Sequence, residues 1–271
     1  MARRAFCVGI NDYPGDGSDL NGCVNDARAW AKLLVEHYDF ASSDVKLATD
    51  AEAIKSRIID GIKKLLTGAK SGDVLVFSNS SHGTYLADAS GDEPSYDEAL
   101  CPYDTQDNLI IDDELRELFS GLPKGVKLDM ISDSCHSGTV TRAAISEIIP
   151  GMRTPDDRRV RFLNPALLGK AVLDNPWKAK PKGKTRYPQS KMKELLLSGC
   201  TDREYSYDAL IGGTYHGAMT YFVLQAIRAA NYKISYAQLH TRVNALLDEG
   251  GYPQHPQLEG SGKNKKAQIF A

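Results

Sequence analysis

Val74-Leu75-Val76-Phe77-Ser78-Asn79-Ser80-Ser81-His82-Gly83 is the stretch from which the fold of this chain can be read. Its first four residues are apolar without interruption, the pattern of a strand buried on both faces inside a parallel sheet. A half-solvated antiparallel strand would alternate apolar with polar instead. The run then delivers small polar residues, a histidine and a glycine at its carboxyl end, where parallel α/β sheets gather their functional groups. Val126 to Ile131 repeats the arrangement and delivers Asp133-Ser134-Cys135-His136-Ser137-Gly138. Two adjacent strands would therefore aim His82 and Cys135 at one cleft.

Outward from these two strands, short apolar runs alternate with segments of helical period. Phe6 to Ile10 reads as a first strand, and Val24, Ala27, Ala31, Leu34 and Tyr38 recur at helical spacing, with Arg28, Lys32 and Glu36 on the other face. A short strand follows at 45–47. Thr49 or Asp50 can cap a helix carrying Ile54, Ile58, Ile62 and Leu65. Later come a strand over 195–200, helices over 217–230 and 236–247, and a last edge strand over 266–270. This alternation predicts an α/β fold, a three-layer sandwich with a mainly parallel central sheet and helices on both faces. The chain reads as one domain: a first part over 1–141, an insert over 142–193, and a second part over 194–271. The insert holds thirteen Lys or Arg against four Asp or Glu, and is expected to be exposed.

A formal net charge of -2 gives no global pull toward nucleic acid or anionic lipid. The basic insert has few interleaved aromatics, mainly Trp177 and Tyr187, so a nucleic-acid role is not expected. No apolar stretch approaches the roughly 20 residues of a membrane span. Cys7, Cys23, Cys101, Cys135 and Cys200 form an odd, scattered set without a CxxC pair or a secretory leader, which predicts reduced thiols and a cytoplasmic location.

A thiol is a strong nucleophile only as thiolate, so Cys135 needs a nearby imidazole and donors for an oxyanion. A single cysteine is usually a small buried apolar group, and a single histidine is usually structural. The pair is different: each ends a strand segment, each has a glycine shortly beyond it (Gly83 and Gly138), and they lie 53 residues apart (135 − 82), near the spacing of about 50 of the caspase-type signature. Gly83 lets backbone approach a substrate, and the amides of Gly83 and Cys135 are natural oxyanion donors. His136 adjoins Cys135 but leaves its strand on the opposite side. His216 is a further rival for the base.

The segments Ser80-Ser81-His82-Gly83-Thr84 and Asp133-Ser134-Cys135-His136-Ser137-Gly138 resemble the paired signatures of metacaspases and their bacterial relatives, the orthocaspases. Gly22-Cys23-Val24-Asn25-Asp26, Tyr96-Asp97-Glu98-Ala99-Leu100-Cys101-Pro102-Tyr103-Asp104, Ile111-Asp112-Asp113-Glu114-Leu115, Leu197-Ser198-Gly199-Cys200, Gly217-Ala218-Met219-Thr220-Tyr221 and Pro256-Gln257-Leu258 resemble family blocks in family order. The resemblance implies the caspase-like fold and a cysteine endopeptidase with Cys135 as nucleophile and His82 as base. It also implies a pocket for arginine or lysine made by Asp26 and Asp133, with Cys23 and Ser80 beside them. Helix capping is the plainer role for Asp26.

The resemblance further implies Ca²⁺ at Asp97, Asp112 and Asp113, although Arg142 replaces a fourth family carboxylate and opposes tight binding. No organic cofactor is required. Peptide or protein substrates with basic residues are the expected partners, and a monomer is the expected state. The insert reads by default as solvated linker; it also offers a surface for an acidic partner, or the enzyme's own cleavage sites at Arg153, Arg158, Arg159, Arg161 or Lys182. The rival readings are a catalytically silent interaction module on the same fold and a peptide ligase using the same dyad.

Overall fold

In β1 (Arg3–Gly9) the side chains divide by period two: Ala5 and Cys7 enter one core, Phe6 and Val8 the other. The computed structural model describes residues 1–15, 17–87, 96–135, 158–169, 192–201 and 204–271. After β1 come α1 (Cys23–His37), β2 (Val45–Thr49), α2 (Lys55–Leu66), β3 (Val74–Ser80), β4 (Gly83–Ala87), β5 (Tyr96–Leu100), β6 (Ile110–Ile111), α3 (Asp112–Ser120) and β7 (Lys127–Asp133). The later part holds β8 (Arg159–Val160), β9 (Leu195–Ser198), β10 (Tyr207–Ile211), β11 (Thr214–Gly217), α4 (Ala218–Ala229), α5 (Tyr236–Glu249), β12 (Gln257–Glu259) and α6 (Gly262–Lys266).

The central sheet runs β12-β9-β7-β3-β1-β2, and every pairing in it is parallel except β12 on β9. All seven residues of β3 are buried, as its uninterrupted apolar run requires. Val74 and Val76 face the core shared with α1, α4 and α5, while Leu75 and Phe77 face the core shared with α2 and α3. Burying a side chain of this size stabilises the fold by roughly 1.5–3 kcal/mol. The alternation thus binds helices to both faces at once. It also fixes the site, because β3 and β7 are adjacent and in register, Ser80 opposite Asp133, so that the chain leaves both strands at the same edge.

Three expectations need correction. Neither Thr49 nor Asp50 caps α2: Ile54 holds the cap position, the Lys55 amide donates to Asp104, and Asp50 instead accepts from the amides of Asn11 and Asp12. The last edge strand is β12, not 266–270. That tail makes the short α6 and then plugs Phe270 edge-on against Trp30, Tyr38 and Tyr236, a burial that a solvent-edge strand could not provide. Residues 158–169 of the supposed exposed insert are partly internal, with Arg161, Phe162, Leu163 and Leu168 buried. Most of the remainder of 142–193, including Arg153 and Lys182, lies outside the described residues.

Candidate active site

His82 leaves the tip of β3 with a buried ring. Its Nε2 lies 2.6 Å from the carbonyl of Ser18. A carbonyl can only accept, so Nε2 carries the proton and Nδ1 keeps its lone pair. That Nδ1 is buried and has no hydrogen-bond partner. Tyr13 holds the ring from one side, with centroids 5.0 Å apart, and its hydroxyl accepts the His82 amide while donating to the Cys101 carbonyl. Burial pushes the His82 pKa down to about 4, with the Ser18 contact opposing the fall.

Cys135 follows β7 and is fully buried. Its thiol donates to the carbonyl of Glu204 at 3.2 Å, and the thiol of Cys200 converges on the same oxygen at 3.3 Å. A hydrogen bond from Cys135 and burial raise the Cys200 pKa well above the ordinary thiol value. The two strand tips are tied by a buried polar network. Asn79 donates to the hydroxyls of Ser81 and Ser134, and Ser81 donates to the His82 carbonyl. Each member of this network is short, which lets the segments carrying His82 and Cys135 lie against one another.

Between them sits a peptide of the chain itself. The Arg161 carbonyl accepts hydrogen bonds from the amides of Gly83 at 2.9 Å and Cys135 at 3.3 Å. On its amino side, β8 pairs antiparallel with β10, Val160 opposite Tyr207, and the Arg161 amide donates to the Ser206 carbonyl. On its carboxyl side, Phe162 packs on Tyr85 and Tyr205, and Leu163 exchanges hydrogen bonds with Gly83 and Thr84. The strand is therefore held on both sides of the Arg161–Phe162 bond.

The Arg161 guanidinium fills a closed acidic pocket. Nη2 donates to Asp26 at 2.8 Å and Asp208 at 3.0 Å, while Nη1 donates to the Asp133 carbonyl at 3.0 Å and lies 3.5 Å from its carboxylate. All four side chains are fully buried. Buried carboxylates are tolerable only when their lone pairs are met, and each is: Asp26 accepts from the Gly217 amide and is paired with His216, Asp133 from Ser206 and from the amide and hydroxyl of Thr220, Asp208 from the amides of Asn21 and Gly22. Burial nevertheless raises the Asp26 pKa, against the pull of Arg161. Burial also opposes the Arg161 charge, but Cys23, Asp133, Asp26 and Asp208 more than offset it and its pKa is raised. Gly22 and Gly217 form part of the wall, where an added Cβ would collide with the Asp208 and Asp133 carboxylates respectively.

Of the residues expected from sequence, Asp26, Asp133 and Cys23 surround Arg161, and Ser80 lies buried opposite Asp133. Asp26 lies inside α1 and does not cap it; Gly22 holds that position. His216 contacts Asp26, at 3.0 Å through Nδ1, and so belongs to the pocket wall. Sequence reasoning missed Asp208, which sits in no motif, and Ser18, which contributes a carbonyl that any residue could supply. It also offered Arg161 as only one of five basic candidates. His136 and Arg142 lie outside the described residues, as does the side chain of Asp97. Asp112 and Asp113 open α3, and Asp112 is paired with Arg116 at 3.2 Å. Among the described residues no group of three or more His, Cys, Asp or Glu side chains is placed to hold a metal ion.

Residues 3–144 match the family model for the metacaspase, peptidase C14 domain. The chain is 32% identical to Metacaspase-1 of Cryptococcus neoformans over 96% of its own length and 62% of that protein, so it spans less than two thirds of this relative. The crystal structure of protein GSU0716 from Geobacter sulfurreducens superposes with a TM-score of 0.77 at 27% identity, covering 100% of this chain and 99% of that one. Caspase-1 from Spodoptera frugiperda shares the fold, with a TM-score of 0.58 at 14% identity over 96% of this chain and 86% of that one.

Proposed function

Because the chain belongs to the metacaspases of peptidase family C14, we propose that it is a cysteine endopeptidase that cuts after arginine or lysine, and that its first substrate is its own Arg161–Phe162 bond. One observation carries this reading: a basic residue has its carbonyl between the amides of Gly83 and Cys135 and its charge among three carboxylates. That is the contact set a bound substrate needs, supplied by the chain itself.

The steps follow from the groups present. The Cys135 thiol leaves the Glu204 carbonyl and gives its proton to His82 Nδ1, which is neutral and holds a free lone pair at pH 7. Sγ attacks the Arg161 carbonyl carbon, and the amides of Gly83 and Cys135 hold the oxyanion, each such donor contributing roughly 3 kcal/mol to the barrier reduction. The imidazolium then protonates the departing Phe162 nitrogen as the peptide bond breaks, leaving a thioester on Cys135. Water, deprotonated by the same ring, hydrolyses the thioester and frees the thiol. With its own strand removed, the cleft receives other chains through the same acidic pocket. A carboxylate cluster repels acidic side chains, so aspartate before the scissile bond is disfavoured. Five free, buried cysteines suit work in a reducing compartment such as the cytoplasm.

Purified chain incubated alone and analysed by intact mass and amino-terminal sequencing should yield a fragment beginning at Phe162. Cys135→Ala and Arg161→Gln should abolish it, and Arg161→Lys should retain it. An identical fragment from Cys135→Ala would remove the proposed nucleophile.

A further inference from the structure

The strand in the cleft carries a second cation at its far end, three residues before Arg161. Arg158 lies over the ring of Tyr252, its guanidinium carbon 4.0 Å from the centroid, and its Nη1 donates to the Gly251 carbonyl at 2.7 Å. An arginine held in this way has its charge met by the aromatic face and one of its five donors by the carbonyl. The receiving surface is built independently of Arg158. Gly251 sits at φ +70°, a left-handed turn that glycine adopts without strain. Tyr252 is itself buried, its amide donating to the Leu247 carbonyl and its ring packed edge-on against Phe222 and tilted against Tyr207. The pairing of Val160 with Tyr207 and Arg159 with Asp208 sets the register. Any chain bound with its scissile carbonyl on Gly83 and Cys135 therefore brings its fourth residue before the cut to Tyr252.

We propose that Tyr252 and the Gly251 carbonyl form a second specificity subsite, which selects a basic residue at the fourth position before the cleaved bond. The enzyme then reads two cations three residues apart, one by charge in the acidic pocket and one by an aromatic face. The proposal rests on the reading of the cleft given above.

The test uses the full chain, incubated until its own cleavage is complete, with internally quenched peptides Xaa-Arg-Val-Arg-Phe in which Xaa is Arg, Lys, Ala or Glu. The ratio of kcat/KM for Arg over Ala should be about three- to tenfold, with Lys between them and Glu lowest. Tyr252→Phe should keep this ratio and Tyr252→Leu should bring it close to one; because it is a ratio, loss of folded enzyme cancels. In the uncut chain, Arg158→Ala should slow the release of the Phe162 fragment by a similar factor. Peptides cut after arginine with no preference at Xaa would overturn the subsite alone. A ratio unchanged in Tyr252→Leu would do the same. No cutting of any peptide, together with no Phe162 fragment, would overturn the peptidase reading and the subsite with it.

Discussion

At the scale of single residues, the site depends on where one proton sits. Ser18 offers His82 only a carbonyl, so the ring must hold its proton on Nε2 and leave on Nδ1 the lone pair that the proposed base requires. Burial then keeps that base neutral far below the ordinary histidine range, with a pKa of about 4. The proposed base works when unprotonated, so the proposed activity should be lost only as pH falls through the folded pKa. The acid limb of the self-cleavage rate should lie near pH 4 to 5, followed by quenched time courses from pH 4 to 8. A limb near 6.5 would mean that the ring is solvated during the reaction. The same scale explains what sequence left hidden. Cys135 and His82 announce themselves by type and spacing, whereas Ser18 acts through its backbone and leaves no trace in the side-chain pattern.

Among the elements, β3, β7 and β10 divide the work. The first two deliver His82 and Cys135, the proposed dyad, and the amides of Gly83 and Cys135 at one edge, and their adjacency was legible from an apolar run at 74–77 and a charge-interrupted segment at 126–131, each ending in signature residues. The third was not legible. β10 and β11 form a hairpin whose strands mix exposed and buried positions, so no run of apolar residues marks it. Yet this hairpin supplies Asp208, one of the three carboxylates of the acidic pocket, and His216 and Gly217 of its wall. At Gly217 the wall lies so close to Asp133 and Arg161 that no side chain fits. Gly217→Ala should lower release of the Phe162 fragment by about a hundredfold or more, while overpacking costs the fold roughly 1–3 kcal/mol. Parallel mass-spectrometric and thermal-melting measurements would separate the two effects; unchanged cleavage would show that the wall yields.

For the whole molecule, two cores share one sheet, and the later part of the chain closes the site that the earlier part begins. Asp129 of β7 illustrates the cost of such burial. It is buried within the sheet and hydrogen-bonded to Tyr236 at the start of α5, and desolvation raises its pKa to about 7. A carboxyl whose folded pKa is raised binds more protons folded than unfolded, so stability falls as pH rises from about 4 through 7. Asp129→Asn should therefore raise the melting temperature at pH 8 and change it little at pH 4, as measured by thermal denaturation. A destabilised variant at pH 8 would show that the ionised form is the one the fold prefers. By itself the sequence determined the α/β class and the sheet's parallel core, and singled out His82 and Cys135 as the candidate pair, because the apolar run at 74–77, the alternation of strands with helical periods and signature spacing are local signals. Only the tertiary structure decided that Arg161, apparently one charge in a solvated basic stretch, is the side chain buried among Asp26, Asp133 and Asp208. The reason is physical: a buried charge is specified by partners, and these lie 135, 28 and 47 residues away along the chain, beyond the reach of any local pattern.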